Sequence, residues 1–222
     1  MNSSNATLFY IHDPMCSWCW GFKPVWQQLQ AQLGSTVNIV YVVGGLAADS
    51  NQPMATGMQH ALEATWQRIQ QQIPGTEFNY DFWRHASTTQ PRRSTYPSCR
   101  AVLAAKIQDP TLEQAMILGI QQAYYLNAKN PSNIDALKDV ATSIGLQPEQ
   151  FKLDMASQNV EEQLQEQLQL ARSLSAQGFP SLVLREENNT GGKLHAISLD
   201  YNNSHTMQQV VDNLTGTVKS HP

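Results

Sequence analysis

Two cysteines with two residues between them stand near the start of the chain, in the stretch DPMCSWCWGF of residues 13–22. When the first of two such cysteines lies at the N-terminus of a helix, the second lies one turn further in, within bridging distance of the first. The spacing of Cys16 and Cys19 therefore suits three uses: ligands for a metal ion, a redox-active dithiol, or two small side chains of an apolar core.

A zinc ion needs more ligands than this pair supplies. Structural zinc sites take four ligands, commonly from a second cysteine pair or from two closely spaced histidines. The remaining ligand types are Cys99 and six scattered histidines, and none of these stands in such a pair. The sequence therefore argues against zinc, while the interpretation as two buried structural cysteines stays open.

The elements around the pair decide between the uses that remain. Residues 7–12, TLFYIH, are typical of a strand, DPM interrupts it, and a helix is predicted from about Cys16 to Leu33. Gly34 stands where a helix commonly ends. Residues 37–45, VNIVYVVGG, form an apolar run typical of a buried parallel strand. The opening is therefore predicted as β-α-β, with the cysteine pair where the first strand passes into the helix.

That position favours redox chemistry. A helix N-terminus offers unpaired N–H groups and the positive end of its dipole, and both stabilise a thiolate, the nucleophilic form of cysteine. Cys16 is thus the predicted nucleophile, and Cys19, one turn deeper and more shielded, is the predicted resolving thiol. Ser17 and Trp18 between them carry no fixed charge that could add to this stabilisation.

Composition places the chain among ordinary soluble globular proteins: it has 222 residues, 41% of them apolar and 14% charged. The net charge of −4 gives no reason to expect nucleic acid or an anionic membrane as a partner. The N-terminal residues lack the pattern of a secretory signal, and three cysteines are too few for a disulfide-framed secreted protein. We therefore expect a cytoplasmic location.

The rest of the chain changes character twice. From about residue 53 to 177 one helical pattern follows another, with prolines and glycines at the borders. Two strands, at 180–186 and 193–200, then flank the turn-like stretch 187–192. A last helix is predicted from about Ser204 to Leu214, with Ser204 as its N-cap. Strands at both ends with helices between them predict one α/β domain that a helical insertion interrupts.

Two stretches of this chain together resemble a known family. FYIHDPMCSWCWGF at the end of the first strand, with GFPSLVL far downstream, resembles the DsbA-like branch of the thioredoxin superfamily. Within that branch the chain is most similar to the cytosolic group described as predicted protein-disulfide isomerases, relatives of 2-hydroxychromene-2-carboxylate isomerase and kappa-class glutathione transferase. The resemblance implies a thioredoxin-like domain of residues 1–50 and 178–222 and an inserted all-helical domain of residues 51–177.

The resemblance also assigns substrate-binding residues. In the superfamily the proline before the downstream strand is cis and faces the cysteine pair, a role that falls on Pro180. Phe179 would then offer its backbone to an extended substrate, and Trp18 would contact the same substrate. The alternative for Pro180 is an ordinary proline at the start of a strand.

The sequence does not single out one group to accept the proton of the resolving thiol. Members of the superfamily often place a carboxylate in the first strand, where this chain has Tyr10 and His12, and the nearest acid is Asp13. His12 and Lys23, one turn beyond Cys19, are auxiliary candidates for this proton. Each has a plain alternative as a packing or surface residue.

The third cysteine opens a further possibility. Cys99 follows Pro97-Ser98, which indicates a helix N-terminus, and such a position lowers the pKa of a thiol. Cys99 or Arg100 would then lie at the lip of the active site, in contact with substrate or glutathione. The alternative is a small buried helical residue.

We therefore expect an enzyme, a thiol–disulfide oxidoreductase or isomerase that acts on disulfide- or thiol-containing proteins or small molecules. It requires no metal and no cofactor, and glutathione would enter as a co-substrate. Two alternatives remain: a glutathione-dependent transferase or isomerase of the kappa-class type, and a non-catalytic module that binds a metal or a partner.

Overall fold

A four-stranded mixed sheet forms the centre of the protein, whose computed structural model describes residues 6–186 and 192–216. The strand order is β2-β1-β3-β4; β1 runs parallel to β2 and antiparallel to β3, and β3 runs antiparallel to β4. The predicted turn at 187–192 lies largely outside the described residues. The strands are β1 (Ala6–His12), β2 (Asn38–Val43), β3 (Ser181–Glu186) and β4 (Leu194–Ile197).

One long helix, α1 (Ser17–Leu33), connects the two parallel strands, and another, α10 (Ser204–Thr215), follows β4. Within residues 6–186 and 192–216, all other helices lie between β2 and β3, so the predicted helical insertion and the α/β class are confirmed. The domain boundaries at residues 50 and 178 stay a prediction. The inserted helices are α2 (Thr56–Gln72), α3 (Asp81–Arg84), α4 (Ala86–Thr89), α5 (Tyr96–Gln108), α6 (Glu113–Tyr125), α7 (Ile134–Ser143), α8 (Pro148–Met155) and α9 (Gln158–Ser173), with a short 3₁₀ turn at Pro110–Leu112.

Side chains of β1 alternate between two apolar layers, as the period of a strand requires. Leu8 and Tyr10 point into the larger core, which includes α1, α10 and much of the helical insertion. Phe9 and Ile11 point the other way, into a smaller cluster with α9. Every residue of β1 is buried, so the strand that leads to the cysteine pair is the most enclosed part of the sheet.

Two details differ from the sequence-based expectations. In the described sheet β2 is an edge strand, because it pairs with β1 on one side and with no strand on the other. Its first residue, Asn38, is exposed, whereas Val42 and Val43 are buried. The last helix is capped by Asn203, whose side chain accepts a hydrogen bond from the backbone N–H of His205. Ser204, predicted as the cap, is the first helical residue instead.

Within the described residues, no helix is long and apolar enough to cross a membrane.

Candidate redox-active site

The cysteine pair lies at the start of α1, as the sequence predicted. Cys16 is the N-cap residue and keeps an extended backbone, and the helix begins at Ser17. Cys19 follows one turn in, and the two cysteines are 3.6 Å apart, both as free thiols. Cys16 retains 5% of its surface, whereas Cys19 is fully buried. Burial raises the pKa of the Cys19 thiol well above its ordinary value, and the neighbouring Cys16 adds to this.

The start of β3 meets the pair from the other end of the chain. The peptide bond between Phe179 and Pro180 is cis, as the resemblance implied. The Cys16 thiol donates a hydrogen bond to the Phe179 carbonyl oxygen at 3.2 Å. The loop after β2 fits closely against the same residue, because a Cβ atom at Gly44 would lie only 1.9 Å from the Phe179 ring.

Asp13 links three segments around the pair, a role that the sequence analysis did not assign. Its fully buried carboxylate accepts hydrogen bonds from the backbone N–H of Met15 at 2.8 Å and of Leu46 at 2.6 Å, and from the Thr95 hydroxyl at 2.6 Å. Burial raises the pKa of Asp13, although these hydrogen bonds and the charge of Arg93 oppose the shift. The Asp-Pro dipeptide, typical of a turn, was the available signal.

Trp18 lies beside the pair and is half-buried. Its ring contacts the edge of Tyr201, with 5.3 Å between ring centroids, and the Arg68 guanidinium lies 5.6 Å above it. The three side chains come from α1, from α2 and from the segment before α10. Together they form a partly exposed aromatic and cationic surface next to the cysteine pair.

His12 and Lys23, the two auxiliary candidates, lie in different surroundings. His12 is fully buried and stacked on Tyr10 at 5.2 Å between ring centroids, and burial lowers the pKa of His12 to about 3. Neither ring nitrogen has a hydrogen-bond partner among the described residues. The Lys23 ammonium lies 4.7 Å from the centroid of the Trp20 ring, a cation–π distance.

Cys99 is buried in the first turn of α5, which agrees with the plainer of its two interpretations. The expected lowering of its pKa is wrong: burial and the Asp13 carboxylate, 3.8 Å from the Cys99 sulfur, raise the pKa of this thiol well above its ordinary value. Arg100 pairs with Asp49 at 2.9 Å and with Glu161 at 2.8 Å, so its guanidinium joins α5 to α9.

A buried tyrosine from the helical insertion contacts the backbone that precedes the pair, and nothing local in the sequence indicates it. Tyr125 of α6 donates a hydrogen bond to the Met15 carbonyl oxygen at 2.7 Å, and its ring stacks on Trp20. The backbone just before Cys16 is therefore attached to the helical insertion.

In the part of the chain that the structure describes, no cluster of three or more His, Cys, Asp or Glu side chains is placed to hold a metal ion.

Comparison with solved structures identifies the fold. A family model described as Thioredoxin matches residues 9–208. A protein from Nitrosomonas europaea proposed to be a protein disulfide isomerase is similar with a TM-score of 0.82 at 24% identity, over 97% of this chain and 100% of that one. The cytosolic disulfide reductase DsbM from Pseudomonas aeruginosa, solved with GSH, gives 0.72 at 24% identity over 94% and 98%. The expected DsbA-like thioredoxin fold is confirmed.

Two curated relatives match this chain over only part of their own length. The ClpXP adapter protein SpxH of Halalkalibacterium halodurans is 25% identical over 185 residues, which is 82% of this chain and 59% of SpxH. The Bacillus subtilis SpxH is 23% identical over 176 residues, 79% of this chain and 57% of the relative. This chain thus spans less than two thirds of the length of these relatives.

Proposed function

The chain belongs to the thioredoxin family, and from that membership we propose that it is a thiol–disulfide oxidoreductase with Cys16 as its nucleophile and Cys19 as its resolving thiol. The observation that carries the proposal is the contact of the Cys16 thiol with the Phe179 carbonyl oxygen at 3.2 Å. It joins a cysteine at a helix N-terminus to the backbone that precedes Pro180, where an extended substrate could pair. A structural role for two buried cysteines does not require such a contact.

The reaction follows thiol–disulfide exchange. The Cys16 thiolate attacks one sulfur of the substrate disulfide, forms a mixed disulfide and releases the other substrate sulfur as a thiolate. Cys19 loses its proton and attacks Cys16, so the mixed disulfide breaks and the second substrate sulfur leaves as a thiolate. The substrate gains two electrons and the protein becomes the Cys16–Cys19 disulfide. Run in reverse, the same steps oxidise a dithiol.

The groups around Cys16 support a role in substrate binding for Trp18, Phe179 and Pro180. Trp18 offers a partly exposed ring beside the nucleophile. The Phe179 carbonyl, which Cys16 contacts, can accept a hydrogen bond from the backbone of a peptide. Suitable substrates are proteins or small molecules that carry a disulfide or a thiol.

Glutathione is our proposed co-substrate, and the cytoplasm our proposed location. The similarity to a cytosolic disulfide reductase that was solved with GSH supports both. Glutathione would reduce the Cys16–Cys19 disulfide after each turnover and so restore the dithiol.

Single cysteine substitutions test the proposal. In a Cys99→Ser background, Cys16→Ser should abolish disulfide exchange, whereas Cys19→Ser should accumulate a mixed disulfide with substrate, visible by mass spectrometry. Exchange that persists in Cys16→Ser would overturn the proposal. Activity on small electrophiles that survives Cys19→Ser would favour the glutathione-dependent transferase or isomerase instead.

The curated relatives support a second candidate function, a protein-binding adapter. An adapter would bind its partner without thiol chemistry, so the Cys16→Ser, Cys19→Ser double variant would bind as well as the unchanged protein. Loss of binding in that variant would instead tie partner recognition to the redox site.

A further inference from the structure

An arginine of the helical insertion lies over the tryptophan that separates the two cysteines. The Arg68 guanidinium of α2 is 5.6 Å from the centroid of the Trp18 ring, and Trp18 stands two residues after Cys16 in the chain. Arg68 is exposed and Trp18 is half-buried, so both are open to solvent. A positive charge is therefore available to a substrate that contacts Trp18 as its disulfide meets Cys16.

Packing of α2 against α1 fixes the place of this arginine. Gly21 of α1 fits closely against α2, because a Cβ atom at Gly21 would lie 2.8 Å from the Ile73 side chain and 3.0 Å from that of Ile69. One turn after the arginine, the Gln72 carbonyl oxygen accepts a hydrogen bond from the Asn202 side chain at 3.4 Å. The backbone that carries the guanidinium is thus held in place before any substrate binds, which lowers the entropic cost of binding.

Arg68 forms no ion pair within residues 6–186 and 192–216. The ion pairs there belong to other cations, for example Arg84 with Asp81 at 2.8 Å. A contact with the face of an aromatic ring uses no hydrogen bond, so the N–H groups of Arg68 stay available to a second partner. These N–H groups form a planar fork that matches the two oxygens of a carboxylate.

An acidic residue of the neighbouring segment is engaged elsewhere. Asp200 precedes Tyr201, whose ring contacts Trp18. Its carboxylate accepts hydrogen bonds from the backbone N–H groups of Asn202 at 2.9 Å and of Asn203 at 3.0 Å. The chain as a whole carries a net charge of −4, so an unpaired cation beside the cysteine pair gives this site a local preference for anions that the rest of the protein lacks.

We propose that Arg68 is a specificity-determining residue, which binds a carboxylate of the substrate while Cys16 attacks the disulfide. This role rests on the proposed function and defines its substrates as small disulfides with a carboxylate a few bonds from the sulfur. Oxidised glutathione is of this class, because carboxylates lie on both sides of each of its cysteine residues. A neutral disulfide gains nothing from the guanidinium.

The experiment compares two disulfides that differ only in charge. 3,3′-Dithiodipropionic acid carries a carboxylate, and 3,3′-dithiodipropionamide carries an uncharged amide at the same position. In a Cys99→Ser background, the reduced protein is mixed with each disulfide at low salt, at concentrations where the rate is proportional to that of the disulfide. The reaction is stopped at intervals, and the Cys16–Cys19 disulfide is measured by mass spectrometry after alkylation of the remaining thiols.

The measured quantity is the ratio of the acid rate to the amide rate, which cancels any effect common to both substrates. Arg68→Gln removes the charge, and Arg68→Lys keeps it. Arg84→Gln is the matched control, because it removes the same charge from an exposed position on α3.

We expect Arg68→Gln to lower the acid-to-amide ratio by about 3- to 5-fold, near the upper end for an exposed ion pair. Arg68→Lys should keep most of the ratio, and Arg84→Gln should match the unchanged protein. Oxidised glutathione should be slowed by Arg68→Gln as the acid is. Salt at about 0.5 M should lower the ratio of the unchanged protein, because mobile ions screen an exposed pair.

Two results would overturn the inference. One is an unchanged acid-to-amide ratio in Arg68→Gln, including the case in which both disulfides slow equally, since Arg68 would then only support Trp18 or the thiolate. The other is an equal loss in Arg68→Gln and Arg84→Gln, which would mean that net charge alone decides the preference. Failure of the unchanged protein to react with either disulfide would instead count against the proposed function itself.

Discussion

His12 makes the stability of the protein depend on pH in a direction that can be calculated. In the folded protein burial lowers the pKa of His12 to about 3, against 6.5 for an exposed histidine. Below pH 6.5 the unfolded chain therefore binds a proton that the folded chain does not, and the free energy of unfolding falls as the pH falls. Between pH 8 and pH 5 the loss is about 2 kcal/mol, from 1.36 kcal/mol for each of the roughly 1.5 pH units below the unfolded pKa.

The variant His12→Phe isolates this effect, because phenylalanine keeps an aromatic ring against Tyr10 and has no proton to bind. Its larger ring changes stability by the same amount at every pH, so that this change cancels when pH 8 and pH 5 are compared. Asp13 acts in the opposite direction, because burial raises the pKa of Asp13 and its ionisation above pH 3.8 destabilises the fold. Asp13 is present in both proteins, so its contribution cancels as well.

The measurement is urea unfolding followed by tryptophan fluorescence at both pH values, with the free energy of unfolding taken by linear extrapolation. His12→Phe should lose about 2 kcal/mol less than the unchanged protein between pH 8 and pH 5. His60→Phe, on an exposed position of α2, is the control and should keep the original difference. An identical loss in His12→Phe and the unchanged protein would refute the reasoning.

Three further predictions concern the surroundings of the site. Gly44→Ala should lower the free energy of unfolding by about 2 kcal/mol in the same urea assay, because the added methyl group overpacks against the Phe179 ring. Gly57→Ala in α2, which has open space around it, should be neutral or stabilise the fold by up to about 1 kcal/mol, and equal effects of the two variants would refute the close fit at Gly44. Tyr125→Phe should cost about 1–2 kcal/mol, because a buried carbonyl loses its hydroxyl partner; unchanged stability would mean that this bond contributes nothing. Brief alkylation of the native, reduced protein with iodoacetamide, read by peptide mass spectrometry, should label Cys16 and leave the fully buried Cys99 unlabelled; faster labelling of Cys99 would contradict its burial.

Local patterns in the sequence were sufficient for the elements that carry the pair. The run from residue 7 to 12 predicted β1, and the helical spacing that ends at Gly34 predicted α1, whose first residue the structure places at Ser17. Each of these signals depends on residues within a turn or two of one another. The place of Cys16 at a helix N-terminus was predictable for the same reason.

Contacts between distant segments were not predictable in this way. Tyr125 lies 110 residues from Met15, and Thr95 lies 82 residues from Asp13. Nothing in the period or composition of either segment indicates its partner, because the packing of α5 and α6 against the loop before Cys16 decides it. The raised pKa of Cys99 has the same origin: its helical position alone predicted the opposite direction.

The hydrogen bond between Cys16 and Phe179 joins residues 163 positions apart, and this separation matters while the protein is being made. At a synthesis rate of roughly 5–20 residues per second, Cys16 is synthesised roughly 8–30 s before Phe179. Throughout that interval the ribosome carries a nascent chain with both thiols of the pair and no β3 to cover them. Oxidants and other nascent chains can therefore react with the pair before Phe179 has been made and can pack against it.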